Sequence, residues 1–203
     1  MNSPYSFDPE GHIHRLNGHI VPGATTLLHD ENFVDDRWFT TWGRDKGTAF
    51  HRAKQLYNMN DLDWDSVDLQ IEGYLRAYIK WLEESRFKVV HCEEPVWSLI
   101  WGFAAIPDDV GYFPNDSVIS IVEDKTWSVQ PWVRLQTALC QIGLQEVHPE
   151  YTRVKRYGLE LRENGTYSMP EEYRDRSDIG VAQALVTVHK WKANNLKNGG
   201  RHE

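Results

Sequence analysis

The sequence predicts a mixed α/β (α+β) fold, in which helices flank a central, mixed β-sheet. Segments with helical spacing of apolar residues stand on both sides of a run of short strand segments, and turn residues separate those strands. The 203 residues are 40% hydrophobic and 12% aromatic, enough to bury a substantial core. Because no repeat or low-complexity linker interrupts the chain, we predict a single domain over residues 1–203, with a hairpin extension at 1–30 and a flexible tail at 195–203.

The first part of the chain is predicted to contain one hairpin and two helices. Residues 11–20 form a hairpin around Asn17-Gly18, a dipeptide that favours a two-residue turn. A helix is predicted over 37–57. A second helix is predicted over 65–86, where apolar residues recur at helical spacing and Asp65 or Ser66 can cap the N-terminus.

Strands dominate the middle of the chain, and helices return after them. Five short strands are expected at 88–91, 96–100, 103–106, 110–113 and 118–122. A helix then begins near Pro131, and a second hairpin joins 154–162 to 166–169. A last helix, capped by Asp178, runs to about Asn194.

Composition excludes several classes of protein. There is no run of apolar residues long enough for a membrane span, and the first residues lack the pattern of a signal peptide, so we expect a cytoplasmic protein. The net charge of −8 does not favour a broad nucleic-acid-binding surface, so any such binding must be local and assisted by a metal. Two distant cysteines, Cys92 and Cys140, rule out a four-cysteine metal or iron–sulfur site within the chain.

Asp108, Glu123 and Lys125 form the most informative chemical pattern in the sequence. Asp108 ends one strand segment, and Glu123 ends the strand that pairs with it across a turn, so both carboxylates should lie close together. Lys125 follows Glu123 by two residues and therefore points from the same face of the strand. Two carboxylates and a lysine in this arrangement suit metal-assisted cleavage of a phosphodiester. The alternative is an ordinary turn next to a polar strand end.

Other polar and aromatic residues could join this site. His51 follows small residues on a predicted helix, which could approach the sheet closely and supply a nitrogen ligand. Gln136 could hydrogen-bond a phosphate or base, and Trp127 could stack on an unpaired base. The alternative is that His51 lies on a helix face, satisfied by a neighbour or by water, and that Gln136 is simply exposed.

Other catalytic and metal-binding patterns are weak or absent. Three histidines of the first hairpin could mimic a zinc site, but no cysteine or acid with ligand spacing accompanies His12, His14 and His19. The sequence contains no Gly-x-Ser-x-Gly and no Gly-x-x-x-x-Gly-Lys, which excludes those hydrolase and P-loop mechanisms.

Four short motifs stand in order along the chain. Residues 47–51 read Gly-x-x-x-His, residues 102–108 end in an aspartate, and residues 121–126 contain acid-x-Lys-Thr. Gln136 begins a Gln-x-x-x-Tyr pattern in which Cys140 stands at the tyrosine position. In this order the motifs resemble those of the PD-(D/E)XK nuclease superfamily, in its RecB-like/Cas4-like branch of stand-alone phage exonucleases. The likeness extends over most of the chain.

The resemblance implies a restriction-endonuclease-like core and a divalent metal site. His51, Asp108, Glu123 and the backbone carbonyl of Asp124 would hold Mg²⁺ or Mn²⁺. Lys125 would orient and help deprotonate the attacking water, so the catalytic residues would be Asp108, Glu123 and Lys125. Because two cysteines cannot supply the iron–sulfur cluster of Cas4-like proteins proper, the resemblance is to members without a cluster.

The resemblance also implies a function and its partners. DNA would be the substrate, and the contacts expected with it come from Thr126, Trp127 and Gln136. The chain would be an exonuclease acting on DNA ends in phage recombination or repair, with a strand-annealing or recombination protein as a partner and a homo-oligomer as an open option. The alternatives are a structure-selective endonuclease and a non-catalytic binding or anti-defence factor on a nuclease scaffold.

Overall fold

The computed structural model describes residues 3–9, 11–34, 41–168 and 171–196 of the chain. A five-stranded central sheet has helices on both faces, and a three-stranded antiparallel sheet is formed near the N-terminus. This arrangement confirms the predicted class, a mixed α/β (α+β) fold with an N-terminal hairpin. No helix in the described ranges is long and apolar enough to cross a membrane.

The elements of the described residues follow the predicted order of hairpin, helices, strands, helix, strands and helix. They are β1 (Tyr5–Asp8), β2 (Ile13–Leu16), β3 (His19–Val21), α1 (Ala24–Asp30), α2 (Thr41–Asn58), a 3₁₀ helix (Trp64–Ser66), α3 (Leu69–Ser85), β4 (Lys88–Cys92), β5 (Val96–Ser98), β6 (Phe103–Ala105), β7 (Asp109–Tyr112), β8 (Ile119–Lys125), α4 (Val133–Val147), β9 (Val154–Leu161), β10 (Tyr167–Ser168) and α5 (Ser177–Asn195).

The central sheet is mixed, with strand order β10-β9-β8-β7-β4. β4, β7 and β8 pair antiparallel, whereas β8 and β9 run parallel, with Ile119 opposite Val154. A parallel pair needs a crossover, and α4 supplies it between β8 and β9. The arrangement agrees with the restriction-endonuclease-like core that the resemblance implies, and β8 lies at its centre.

Side chains along β8 alternate between the two faces of the central sheet. Ile119 and Ile121 belong to a core cluster shared with α1, α4 and α5. Val122 belongs to a second cluster, shared with α2 and α3. Since Glu123 continues the alternation of Ile121, and Asp124 that of Val122, the two acids face opposite helical layers.

The predicted strands formed, but their pairing differs in two places. The segments predicted at 96–100 and 103–106 pair with each other as β5 and β6 in a separate two-stranded sheet. β1 was not predicted, and its pairing with β2 extends the hairpin to three strands. An alternating pattern specifies a strand but does not specify its partner, which explains the separate β5–β6 sheet.

Neither of the two predicted helix caps formed: an aspartate next to the predicted position caps α3, and α5 begins after Arg176, which makes no side-chain cap hydrogen bond. Val67 is extended and separates the 3₁₀ helix from α3, so Asp68 caps α3 by accepting a hydrogen bond from the backbone N–H of Gln70 at 2.9 Å. Before α5, Asp175 Oδ1 accepts from the Ser177 N–H at 2.9 Å. Asp178 lies within the first turn of α5 and pairs with arginines instead.

Some predicted boundaries fall beyond what the structure describes. Residues 37–40, at the start of the helix predicted over 37–57, lie outside the described residues. The same holds for residues 197–203 of the predicted tail, whereas Asn195 is the last residue of α5.

We expect Gly73→Ala to destabilise the protein, because a Cβ at this position of α3 would lie 1.7 Å from the carbonyl oxygen of Glu163. Relieving such a clash costs about 1–3 kcal/mol or more. Gly180→Ala is the matched control, since its Cβ would enter open space on α5 and should stabilise by about 1 kcal/mol. Urea unfolding measures both changes, and wild-type stability in Gly73→Ala would contradict this packing.

Candidate active site

Asp108 and Glu123 lie beside each other at the ends of neighbouring strands. β7 begins at Asp109, which pairs with Val122 of β8. Because the two strands are antiparallel, Asp108, just before Asp109, lies next to Glu123, just after Val122. Asp108 Oδ2 accepts a hydrogen bond from the Asp124 N–H at 2.6 Å. Only 5% of Asp108 and 1% of Glu123 is exposed. The structure therefore brings together the two acids that the sequence pattern pairs.

Helix α2 brings His51 to these acids. Its Nδ1 lies 2.7 Å from Glu93 Oε1 and 3.4 Å from Asp108 Oδ1. One ligand atom from each of these three residues lies within 4.8 Å of the others, a spacing that could hold one divalent cation. No other trio of histidine, cysteine or acidic side chains in the described ranges meets this distance.

Glu93 is a candidate ligand that was not predicted from the sequence. It follows β4 in a loop, where its φ of 55° is unusual for a residue with a side chain. Its backbone N–H donates to the Asp108 carbonyl at 3.1 Å, which holds the loop against the start of β7. The only signal in the sequence is the acidic pair Glu93-Glu94, which has no motif around it.

One oxygen of Glu123 is held in place and the other has no donor. Oε1 accepts hydrogen bonds from Lys125 Nζ at 3.0 Å and from the Gln136 side-chain amide. Oε2 is buried, and within the described part of the chain it has no hydrogen-bond partner. A buried acceptor without a donor is costly, and a cation would offset that cost. The donor set of oxygens and one imidazole therefore fits Mg²⁺ or Mn²⁺.

The pKa values in this cluster are shifted by mutual contacts. Burial would lower the pKa of His51, but Asp108 and Glu93 outweigh it and raise the pKa to about 9. Burial and the neighbouring Asp108 raise the pKa of Glu123 to about 8. Burial would lower the pKa of Lys125, but Glu123 and Asp108 raise it, so its ammonium is charged at neutral pH. A cation that enters the cluster must therefore displace protons.

A second charged layer lies on the opposite face of β8. Lys54 of α2 is fully buried, with Nζ 2.9 Å from Asp124 Oδ2 and 3.4 Å from Asp109 Oδ2. The same Nζ lies 3.0 Å from Glu93 Oε1. Tyr78 donates its hydroxyl hydrogen to Asp109 Oδ1 at 3.1 Å. The sequence left open whether Asp109 is a metal ligand or only a neighbour of the site. In the structure its carboxylate pairs with Lys54 and Tyr78.

The remaining predicted residues lie around the same strand end. The carboxylate of Asp124 faces away from the metal ligands, so its predicted role rests on its backbone carbonyl alone. Thr126 directly follows β8 and is partly exposed, and Trp127 is 39% exposed. Gln136 is buried against Glu123 rather than exposed on its helix. Cys140, at the expected tyrosine position, is fully buried on α4.

A cleft of about 670 Å³ joins the candidate metal ligands to the N-terminal sheet. His12 and His14 line its far side, and a hydrogen bond of 2.8 Å joins His14 Nδ1 to the Tyr5 hydroxyl. Burial and the neighbouring His12 lower the pKa of His14 to about 4, so it is neutral. His19 is exposed, and among the residues that the structure describes these histidines do not form a metal-ligand cluster.

Comparisons with known proteins give distant similarities in structure. Neither a family model nor a curated protein matches the sequence significantly. A protein from Eubacterium rectale assigned as an exonuclease is similar with a TM-score of 0.49 and 11% identity, over 87% of this chain and 74% of that chain. The alkaline exonuclease LHK-Exo from Laribacter hongkongensis is similar with a TM-score of 0.37 and 14% identity, over 85% of this chain and 88% of that chain. The structure of LHK-Exo in complex with dAMP is similar with a TM-score of 0.37 and 15% identity, over 87% of this chain and 94% of that chain. At such low TM-scores and identities, the functional conclusion has to come from the site itself.

We expect Lys54→Met to destabilise the fold strongly, because it leaves two buried carboxylates, Asp109 and Asp124, without their cation. Removing one partner of a buried ion pair costs about 3–5 kcal/mol. Lys80→Met is the matched control, since the Lys80 side chain is 50% exposed and its Nζ lies 3.9 Å from Glu84. Urea unfolding compares the two, and equal small losses would contradict the role of Lys54.

We expect Glu93→Gln to weaken Mn²⁺ binding about tenfold or more, because a neutral amide is a poorer ligand and pairs less well with His51. Glu94→Gln should bind Mn²⁺ as the wild type does, because the Glu94 side chain is 59% exposed and pairs with His91. Isothermal titration calorimetry measures both affinities. Unchanged affinity in Glu93→Gln would remove Glu93 from the ligand set.

Proposed function

We propose that this chain is a divalent-metal-dependent deoxyribonuclease that hydrolyses phosphodiester bonds as an exonuclease acting on DNA ends. The main support is one observation: Glu123 and Lys125 share a face at the end of β8, beside Asp108 and His51 in one cleft. Such a site offers oxygen and nitrogen ligands for a cation together with a cationic donor for a phosphate.

The metal-binding residues in this proposal are His51, Glu93, Asp108 and Glu123, with the carbonyl of Asp124 as a further ligand. Bound there, Mg²⁺ or Mn²⁺ would lower the pKa of a water molecule and neutralise charge on the phosphate. The fit rests on the spacing of the ligand atoms of His51, Glu93 and Asp108, a group that does not include Glu123, and on the buried Glu123 Oε2, which has no donor among the described residues.

Lys125 is suited to binding the phosphate in this mechanism. Its raised pKa keeps the ammonium charged, so it can donate hydrogen bonds to phosphate oxygens and orient the attacking water. A charged ammonium cannot accept a proton, so the help in deprotonation expected from the family falls to the metal. Gln136 would act through Glu123: its side-chain amide donates to Oε1 and fixes the carboxyl group, while Oε2 has no donor in the described residues.

The biological setting forms the finer part of the proposal. The order of the four motifs supports an exonuclease of phage recombination or repair, cytoplasmic, with DNA as its substrate. A strand-annealing or recombination protein as partner, and assembly into a homo-oligomer, rest on the same resemblance. Thr126, Trp127 and Gln136 remain the residues proposed to contact or organise the DNA.

A non-catalytic nucleic-acid- or protein-binding factor on a nuclease scaffold is the second candidate. The net charge of −8 and the replacement of the expected tyrosine by Cys140 favour it. The complete set of His51, Asp108, Glu123 and Lys125 favours the enzyme instead, because an inactive scaffold has no need of a metal site beside a buried lysine.

We expect the wild-type protein to degrade end-labelled linear DNA with Mg²⁺ or Mn²⁺, and to leave a closed circle intact. Lys125→Ala should cleave at least about a hundredfold more slowly, because it lacks the cationic donor to the phosphate. It should keep Mn²⁺ binding and a cooperative unfolding transition, with a lower midpoint because buried Glu123 loses one of its partners. Lys88→Ala, which removes an exposed lysine of β4, is the matched control and should cleave normally.

Each other outcome has a distinct meaning. Cleavage of the closed circle would mean that the protein is an endonuclease rather than an exonuclease. Unchanged turnover in Lys125→Ala would overturn the catalytic assignment. Metal-independent binding to DNA, with no cleavage of linear duplex, single strand or circle, would support the non-catalytic candidate.

A further inference from the structure

A second cavity, of about 870 Å³, opens next to the active-site cleft. The loop between β8 and α4, together with the start of α4, forms one wall, Phe33 forms another, and Asp175 and Asp178, before and within the first turn of α5, form a third. Its lining residues with aromatic faces or polar groups include Phe33, Trp127, Gln130, Trp132, Arg134 and Asp175.

The two cavities share a wall. Trp127 and Trp132 line both the active-site cleft and the second cavity. Lys125 Nζ lies 5.5 Å from the centroid of the Trp132 ring, which places the proposed phosphate donor beside this indole. A ligand that extends from a phosphate at Lys125 would therefore meet the two tryptophans next.

The aromatic side chains offer faces for stacking. Trp127 is 39% exposed and Phe33 is 44% exposed, and both line the same cavity. Aromatic side chains of this kind stack on nucleobases in proteins that bind single strands. Gln130 and Asp175 add amide and carboxylate groups, which can meet the hydrogen-bonding edge of a base.

The charge of the cavity suits a neutral base better than a phosphate. Arg134 is its cation, but Nη2 lies 3.4 Å from Asp175 Oδ2, and Nε lies 3.3 Å from Asp178 Oδ2. These two carboxylates line the cavity and offset the guanidinium charge. Phosphate binding depends on unpaired positive charge, so the backbone of a nucleic acid is not the ligand that the cavity fits.

We propose that the second cavity is a nucleobase subsite, which receives one unpaired base adjacent to the phosphate held in the active site. This deepens, and rests on, the proposed nuclease function. Bases within a duplex are covered on both faces by their neighbours, so a base can stack on Trp127 only after it has left the duplex. The preferred substrate is therefore a single strand, or a duplex end whose terminal base has separated.

The test scans a short oligodeoxynucleotide with one abasic residue at successive positions. Binding to the wild-type protein, which keeps Lys125 and is prevented from cleaving by EDTA, is measured by fluorescence anisotropy. We expect one position near the bound phosphate to lose about tenfold in affinity when its base is removed, which is within the range for a stacked base. Introducing Trp127→Ala should weaken binding of the intact strand to the same extent and abolish the abasic penalty.

Two control variants separate stacking from a general loss of structure. Trp127→Phe keeps an aromatic ring and should keep a penalty at the same position. Trp191→Ala removes a tryptophan that is 58% exposed on α5, outside both cavities, and should leave the whole profile unchanged.

A flat profile, or a penalty that remains equally large in Trp127→Ala, would overturn the subsite. Metal-dependent cleavage by the wild-type protein is measured on the same unmodified strand, so that the two proposals fail separately. Cleavage with a flat profile rejects the subsite alone. A Trp127-dependent penalty without any wild-type cleavage keeps the subsite and rejects the nuclease.

Discussion

A single buried ammonium group, Lys54 Nζ, lies within 3.4 Å of carboxylate oxygens from three separate segments of the chain. They are the loop after β4, the first residue of β7 and the end of β8, contributed by Glu93, Asp109 and Asp124. Lys54 also donates to the Asp108 carbonyl at 3.2 Å. Because this ammonium group is fully buried, its attraction to the acids is strong, and an uncompensated carboxylate there would be costly. The positions of Glu93, Asp108 and Asp124 therefore depend on this one cation.

Side chains alternate along β8, so the acids that pair with Lys54 and the proposed catalytic residues lie on opposite faces of the sheet. Glu123 and Lys125 face α4 and the cleft, whereas Asp124 between them faces α2 and Lys54. One strand thus holds three charged residues in two layers, and each layer has its own counter-ion. Helix α2 spans both layers, because His51 contacts Glu93 and Asp108, and Lys54, one turn later, contacts the acids behind them. Rigid positioning of this kind is what a metal site needs for catalysis.

Sequence patterns located the site better than they described its surroundings. The spacing of Glu123 and Lys125 on a strand, and the turn that returns the chain to Asp108, were local features and were predicted. Glu93 and Lys54 were missed, since neither stands in a motif and each is defined by residues far away in the chain. Gln136 was predicted to hydrogen-bond a phosphate or base, and its contact with Glu123 was not foreseen, because it depends on how α4 packs against the sheet. The separate β5–β6 sheet was missed for a similar reason, because strand pairing is decided by non-local packing.

Local sequence was sufficient to set the class of fold, the order of its elements and the face of β8 on which acid and lysine stand together. These follow from periodicity and turn residues, which act over a few neighbours. Three relations arose only when the chain packed: Glu93 completes the ligand cluster, Lys54 balances the acids behind it, and Trp127 and Trp132 join two cavities. They depend on which surfaces meet as the sheet and helices come together, and burial then sets the strength of each charge.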